Sequence, residues 1–233
     1  FNEARLEIAW EKLEPGPVGE YIEVIDVDPA SGCAYAPVDL DHPHLLVADG
    51  LAPSETNPQF HQQMAYAVAM KTIEHFERAL GRVALWHPHF LWKNDEIVGH
   101  EFVQRLRIYP HALHKANAFY SPQLKALLFG YFFAGSDDPG ATLPGTFVHG
   151  SLSYDIIAHE TTHALLDGLH RRFNETTNRD MPAFHEAFAD IVALFQHFTL
   201  PEALRDQIAR ARGDLSQQTL LSQLAVQFGQ ASG

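Results

Sequence analysis

With 233 residues, 46% of them apolar and 16 of them phenylalanine, the chain can bury a sizeable core, which excludes a disordered segment. A formal charge of −13, from 29 acidic against 16 basic residues, argues against nucleic acid and anionic membrane surfaces as partners. The single cysteine, Cys33, excludes an internal disulfide framework, and no apolar run approaches the ~20 residues of a membrane span.

The opening "FNEARLEIAW" has neither a Met nor a basic-then-apolar signal, as expected of a trimmed chain, and leaves the compartment open between secreted and cytoplasmic. "LEPGPVG" reads as a loop and "EYIEVIDVD" as a strand. The crowded Pro, Asp and His of "VDLDHPHLLVADGLAPSETNP" predict a loop that ends at a helix cap, Ser54 or Asn57. A long helix follows on the spacing of Ala65, Val68, Ala69, Ile73 and Phe76, with Gly81 at its C-terminal cap. Strands are expected at "VALW", "FVQRLRIYP", "NAFY" and "ALLFGYFFA", and a Gly/Pro-rich loop at "GSDDPGATLPGTFVHGS". From there the texture is helical, near 152–171, 182–199, 201–212 and 216–227. Strands followed by helices indicate an α+β chain, with a sheet-rich lobe over 1–150 and a helical lobe over 151–233.

"HETTHALLDGLH" carries the chemistry. His159 and His163 are four apart, so on a helix both imidazoles face one way and can hold one zinc ion. Glu160 faces the same cleft, where it can take a proton from metal-activated water. Apolar Ile156, Ile157, Ala164 and Leu165 recur at helical intervals. Histidine is common enough in this chain, at 15, that the motif alone can arise by accident, so a third ligand is required. His170 is out of register for that role and reads as a solvated helix end. Downstream, "MPAFHEAFADIVALFQHF" reads as a second helix on which Glu186 and Asp190 share a face. One carboxylate to bind metal and one to receive a histidine's spare N–H would complete such a site. Their nearly all-apolar neighbours make a role without partners costly.

These two stretches resemble the thermolysin-like family of gluzincin zinc metallopeptidases, whose pattern is HExxH on one helix and a Glu ligand in an "NEAxxD"-type stretch on the next. "HETTHALLDGL" matches the first and "HEAFAD" the second. The resemblance implies a zincin-like fold in which a mixed or antiparallel sheet lobe with a long helix precedes the helical lobe. It implies His159, His163 and Glu186 as zinc ligands, Glu160 as general base and Asp190 as the carboxylate that orients His159. "NAFY" at 117–120 resembles the family's edge strand, so Asn117 by its side chain and Ala118 by its carbonyl would hold an extended peptide. Asp155 and Asp167 also stand where the family has aspartates.

Three departures accompany the likeness. The spacer from His163 to Glu186 is longer than usual, with Asp180 or Glu175 as fallback ligands. The family's C-terminal helical domain and its oxyanion-stabilising His and Arg have no match, which leaves room for a further domain beyond this chain. Tyr120, His149 and Tyr154 are the local substitutes. A Ca2+ site around Asp155 would need an acid where His197 stands, so calcium draws only weak support. The expected activity is zinc-dependent endopeptidase cleavage of an extended peptide or protein. The alternatives are a gluzincin aminopeptidase, a zinc-bearing peptide binder that cuts weakly or not at all, and a structural protein with a chance motif.

Overall fold

The computed structural model describes residues 5–135, 145–170, 178, 180–201, 204–205, 208–209 and 212. In chain order the elements are β1 (Ile22–Val24), β2 (Val27–Asp28), β3 (Cys33–Ala34), α1 (Pro43–Val47), α2 (Pro58–Leu80), β4 (His89–Lys93) and β5 (Glu96–Glu101). There follow β6 (Leu106–Leu113), β7 (Ala118–Ser121), β8 (Ala126–Phe133), β9 (Phe147–His149), a single 3₁₀ turn (Gly150–Leu152), α3 (Tyr154–Leu169) and α4 (Asp180–His197). The architecture is α+β with a mixed sheet. No helix among the described residues is long and apolar enough to cross a membrane.

The main sheet runs β1-β6-β8-β7, with β9 also paired to β8. β1, β6 and β8 are parallel neighbours, whereas β7 and β9 run antiparallel to β8. β7 therefore closes one end of the order, and among the described residues no strand pairs with its outer edge. The ladder between β6 and β8 slips between Tyr109 and Leu113. Pro110, which has no N–H to give to a ladder, sits in that slip, and the resulting bulge turns His111 into the interior at 2% exposure.

α2 begins at Asn57, whose side chain accepts from the Gln59 N–H, with Pro58 in the first turn, and it ends at Gly81 with φ 67°. Its expected apolar stripe is buried and is extended by Tyr66 and Thr72. One core cluster draws on α2, the sheet, α3 and α4, and so takes residues from both sides of residue 150. The hydroxyl of buried Thr72 lies 3.1 Å from Gln196 of α4.

Elsewhere the elements differ from expectation for local reasons. "VALW" is extended but joins no ladder: the Ala84 N–H donates to Glu77 and the Trp86 indole to the Tyr21 carbonyl. The next strand pair is the hairpin β4–β5, turned by Asn94 and Asp95 at φ 49° and 61°. Two positive φ angles define a type I′ turn, which Asn and Asp tolerate. The expected helix at 201–212 is described only in part, and the one at 216–227 lies outside the described residues.

Two glycines separate steric from conformational demand. A Cβ on Gly168 of α3 would meet the Leu85 carbonyl oxygen at 2.0 Å, so this helix can lie on the 83–86 segment only as glycine. Gly81 has open space around it but a left-handed φ. Gly168→Ala should therefore lower stability by about 1–3 kcal/mol, despite alanine's better helix propensity. Gly81→Ala should cost about 1 kcal/mol through backbone strain alone. Urea denaturation of the two variants beside the parent checks both values.

Candidate metal centre

α3 starts at Ser153, whose hydroxyl accepts from the Ile156 N–H, and runs for four turns with most of its surface buried. The two residues inside the HExxH motif are threonines, and each satisfies its hydroxyl within the helix: Thr161 donates to the Ile157 carbonyl and Thr162 to that of Ala158. The motif can thus be packed on its inner side without orphaned polar groups. Its other side looks at α4.

There the side chains converge. His159 Nε2 and His163 Nε2 are 3.0 Å apart. Glu186 places one carboxylate oxygen 3.3 Å from His159 Nε2 and the other 3.5 Å from His163 Nε2. Donors about 2.0–2.1 Å from a tetrahedral zinc ion would stand about 3.3 Å from one another, so the three present residues fit that ion as they are. Behind them, Asp190 lies 2.8 Å from His159 Nδ1, which favours the proton on that nitrogen and leaves Nε2 as a lone pair. Burial and the neighbouring His159 and His185 push His163 down to about 3, so it is a neutral imidazole at ordinary pH.

Glu160 is the most enclosed acid of the group, at 8% exposure, and burial pushes its carboxyl up to about 7. One carboxylate oxygen accepts the backbone N–H of Tyr120 at 2.9 Å. That amide leaves β7 on the side away from β8, and by the two-residue period of a strand the polar groups of Ala118 face the same way. The open sheet edge and the buried acid are thereby fixed to each other. Asn117 precedes the strand, exposed, and its carbonyl accepts the Gly130 N–H.

The remaining expected residues fall into place around this centre. Asp167 is buried and accepts the Tyr120 hydroxyl at 2.7 Å and the Lys125 ammonium at 3.2 Å. Asp155 contacts His197, joining the start of α3 to the end of α4. His170 caps α3 and is exposed. Asp180 opens α4, and Glu175 lies outside the described residues. Of the substitutes for an oxyanion donor, the Tyr120 hydroxyl is committed to Asp167, Tyr154 packs on His197 with ring centroids 5.2 Å apart, and His149 lies in a separate histidine cluster.

Two features were not foreseen. His185 is buried, stacks on His163 and brings its Nδ1 within 3.4 Å of His163 Nδ1, so it can orient the His163 imidazole as Asp190 orients that of His159. Its position directly before Glu186 was the only available hint. Conversely, the apolar neighbours of Glu186 and Asp190 do not bury them. Side-chain exposure is 57% and 34%, and Phe184, Ile191 and Phe195 are themselves exposed on α4.

No family model and no curated protein matches the chain. The geometry therefore has to speak alone.

Asp167→Ala leaves the Lys125 ammonium buried without its carboxylate and should cost about 3–5 kcal/mol. Tyr120→Phe removes one hydrogen bond and should cost about 1 kcal/mol. Equilibrium denaturation distinguishes the two losses, and an equal effect would place the ion pair outside the structure's main supports.

Proposed function

We propose that the chain is a zinc-dependent endopeptidase unit of zincin-like arrangement, with His159, His163 and Glu186 as metal ligands and Glu160 as general base. The observation that carries this reading is the joint placement of the three converging donors and a buried carboxyl tied to the edge strand β7. When bound, zinc supplies Lewis acidity to the attacking water and the scissile carbonyl.

The chain's own groups do the rest. Asp190 and His185 orient the two ligand imidazoles. The open edge of β7 receives an extended peptide by strand addition, through the outward carbonyl of Ala118 and the exposed Asn117 side chain. Glu160, held by the Tyr120 amide, accepts a proton from the water and delivers it to the departing amine.

A second reading has one specific support. With the Tyr120 hydroxyl held by Asp167 and His149 in another cluster, two of the three local candidates for oxyanion stabilisation are engaged elsewhere. Loss of one such donor costs about 10²–10³ in rate, which favours a weakly active or purely peptide-binding protein.

Zinc-loaded parent and Glu160→Gln, incubated with a diverse peptide library and read by mass spectrometry, decide between these. Internal cuts by the parent, reduced by about 10²–10⁴ in the variant, are expected. No cuts from either, with zinc measured in both, would discard the peptidase and leave the binder. Asp190→Ala should weaken zinc about 10–100-fold in a competition titration.

A further inference from the structure

A second convergence of histidines lies outside this centre and shares no residue with it. His61 from the first turn of α2, His111 from the bulge of β6 and His149 from the end of β9 each offer a ring nitrogen, all three within 4.8 Å of one another. His61 is 1% exposed and His111 2% exposed. The sequence separates these residues by 50 and 38 positions, so nothing local brings them together.

The hydrogen bonds around the cluster leave a specific conflict. His61 Nε2–H donates to the Glu55 carbonyl at 3.1 Å, which puts its lone pair on Nδ1. His111 Nδ1–H donates to the Asp26 carboxylate at 2.7 Å, which puts its lone pair on Nε2. Those two lone-pair nitrogens face each other at 2.8 Å. His149 adds a buried Nδ1 that has no hydrogen-bond partner among the described residues. Two facing lone pairs repel unless a cation lies between them.

The surrounding charge favours the same occupant. Asp26 and Asp28 are 7% and 2% exposed, and among the described residues neither pairs with a lysine or arginine. Asp26 is clamped by His111 on one oxygen and by the Gln62 amide on the other. Asp28 accepts the hydroxyl of Tyr131, whose ring stacks on His149 with centroids 5.6 Å apart. A carboxylate behind one ligand histidine and a backbone carbonyl behind another is the usual outer shell of a metal-binding imidazole. Three nitrogen donors select a borderline divalent transition ion over calcium or magnesium.

We propose that His61, His111 and His149 form a second metal site, suited to zinc, that pins the start of α2 to β6 and to the strand leading into α3. An ion would need the two facing nitrogens to open by about 0.5 Å, to the ~3.3 Å separation of tetrahedral ligands, and the His149 nitrogen, within 4.8 Å of them, to draw in toward the same separation. The rival is a metal-free cluster in which a proton, not a metal ion, lies between the two facing nitrogens.

The test uses the whole chain, stripped with chelator and dialysed against zinc, with metal counted by plasma mass spectrometry. The parent should hold two ions per chain, His163→Ala one, His149→Ala one, and the double variant none. In the His163→Ala background, cobalt(II) should give a visible ligand-field spectrum that His61→Gln or His149→Ala abolishes, and zinc should raise the thermal midpoint. Circular dichroism reports folding; should the buried His61→Gln fail to fold, the half-buried His149→Ala carries the same test. No ion in the His163→Ala variant, or an ion there that survives both His61→Gln and His149→Ala, overturns the site. Because the count is made without the first centre and without any peptide, it stands whether or not the chain cuts.

Discussion

The burial of α3 is the constraint from which most of this structure follows. A helix that presents His159, Glu160, Thr161, Thr162, His163 and Asp167 cannot enter a core unless each polar group finds a partner. The threonines find theirs one turn back, in the helix's own carbonyls. Glu160 and Asp167 reach the same residue of β7: one takes the Tyr120 amide and the other its hydroxyl. The two histidines turn to α4 for Asp190, Glu186 and His185. The edge strand on one side and the acidic helix on the other are thus required by the helix between them. The site exists because satisfying α3 leaves donors pointing at a common space.

The second histidine cluster obeys the same rule with different means. There the buried polar rings come from a helix start, a bulge and a strand end, and a carboxylate and a carbonyl take up their spare protons. For His159, His61 and His111 the outer partners fix which ring nitrogen is left bare. Where two bare nitrogens meet within 3.0 Å, a cation relieves what hydrogen bonding cannot, and both clusters meet that condition if His163, like its three counterparts, keeps its proton on the outer nitrogen.

What could be read from the sequence was what local spacing encodes. The four-residue interval of His159 and His163, the four-residue interval of Glu186 and Asp190, and the Asn57 and Gly81 caps of α2 are all set within a few turns of chain. The α+β character was legible for the same reason. The hairpin β4–β5 escaped because its type I′ turn is built from Asn94 and Asp95, without the glycine that usually marks it, and because "VALW" has strand composition but spends its polar groups on Glu77 and Tyr21. His61, His111 and His149 had no local signature at all. They meet only because Pro110 breaks a ladder and β9 returns beside β8. The exposure of Glu186 shows the converse failure, since apolar neighbours on a helix cover an acid only when they lie on its own face.

The relation between α3 and α4 explains why the long spacer between the motifs need not disturb the centre. Three contacts run along the pair in opposite chain directions: Asp155 with His197, His159 with Asp190, and His163 with Glu186. On α3 the positions advance by four and four, and on α4 they recede by seven and four, all close to whole helical turns. The helices are therefore antiparallel, and their register is held at three levels at once. A slip of one turn would move each histidine about 5.4 Å from its acid and break every level together. Such a lock makes the geometry a property of the two helices and not of the chain that joins them. It also gives His197 a positional role: its contact with Asp155 sets the level from which the turns carrying Asp190 and Glu186 are counted.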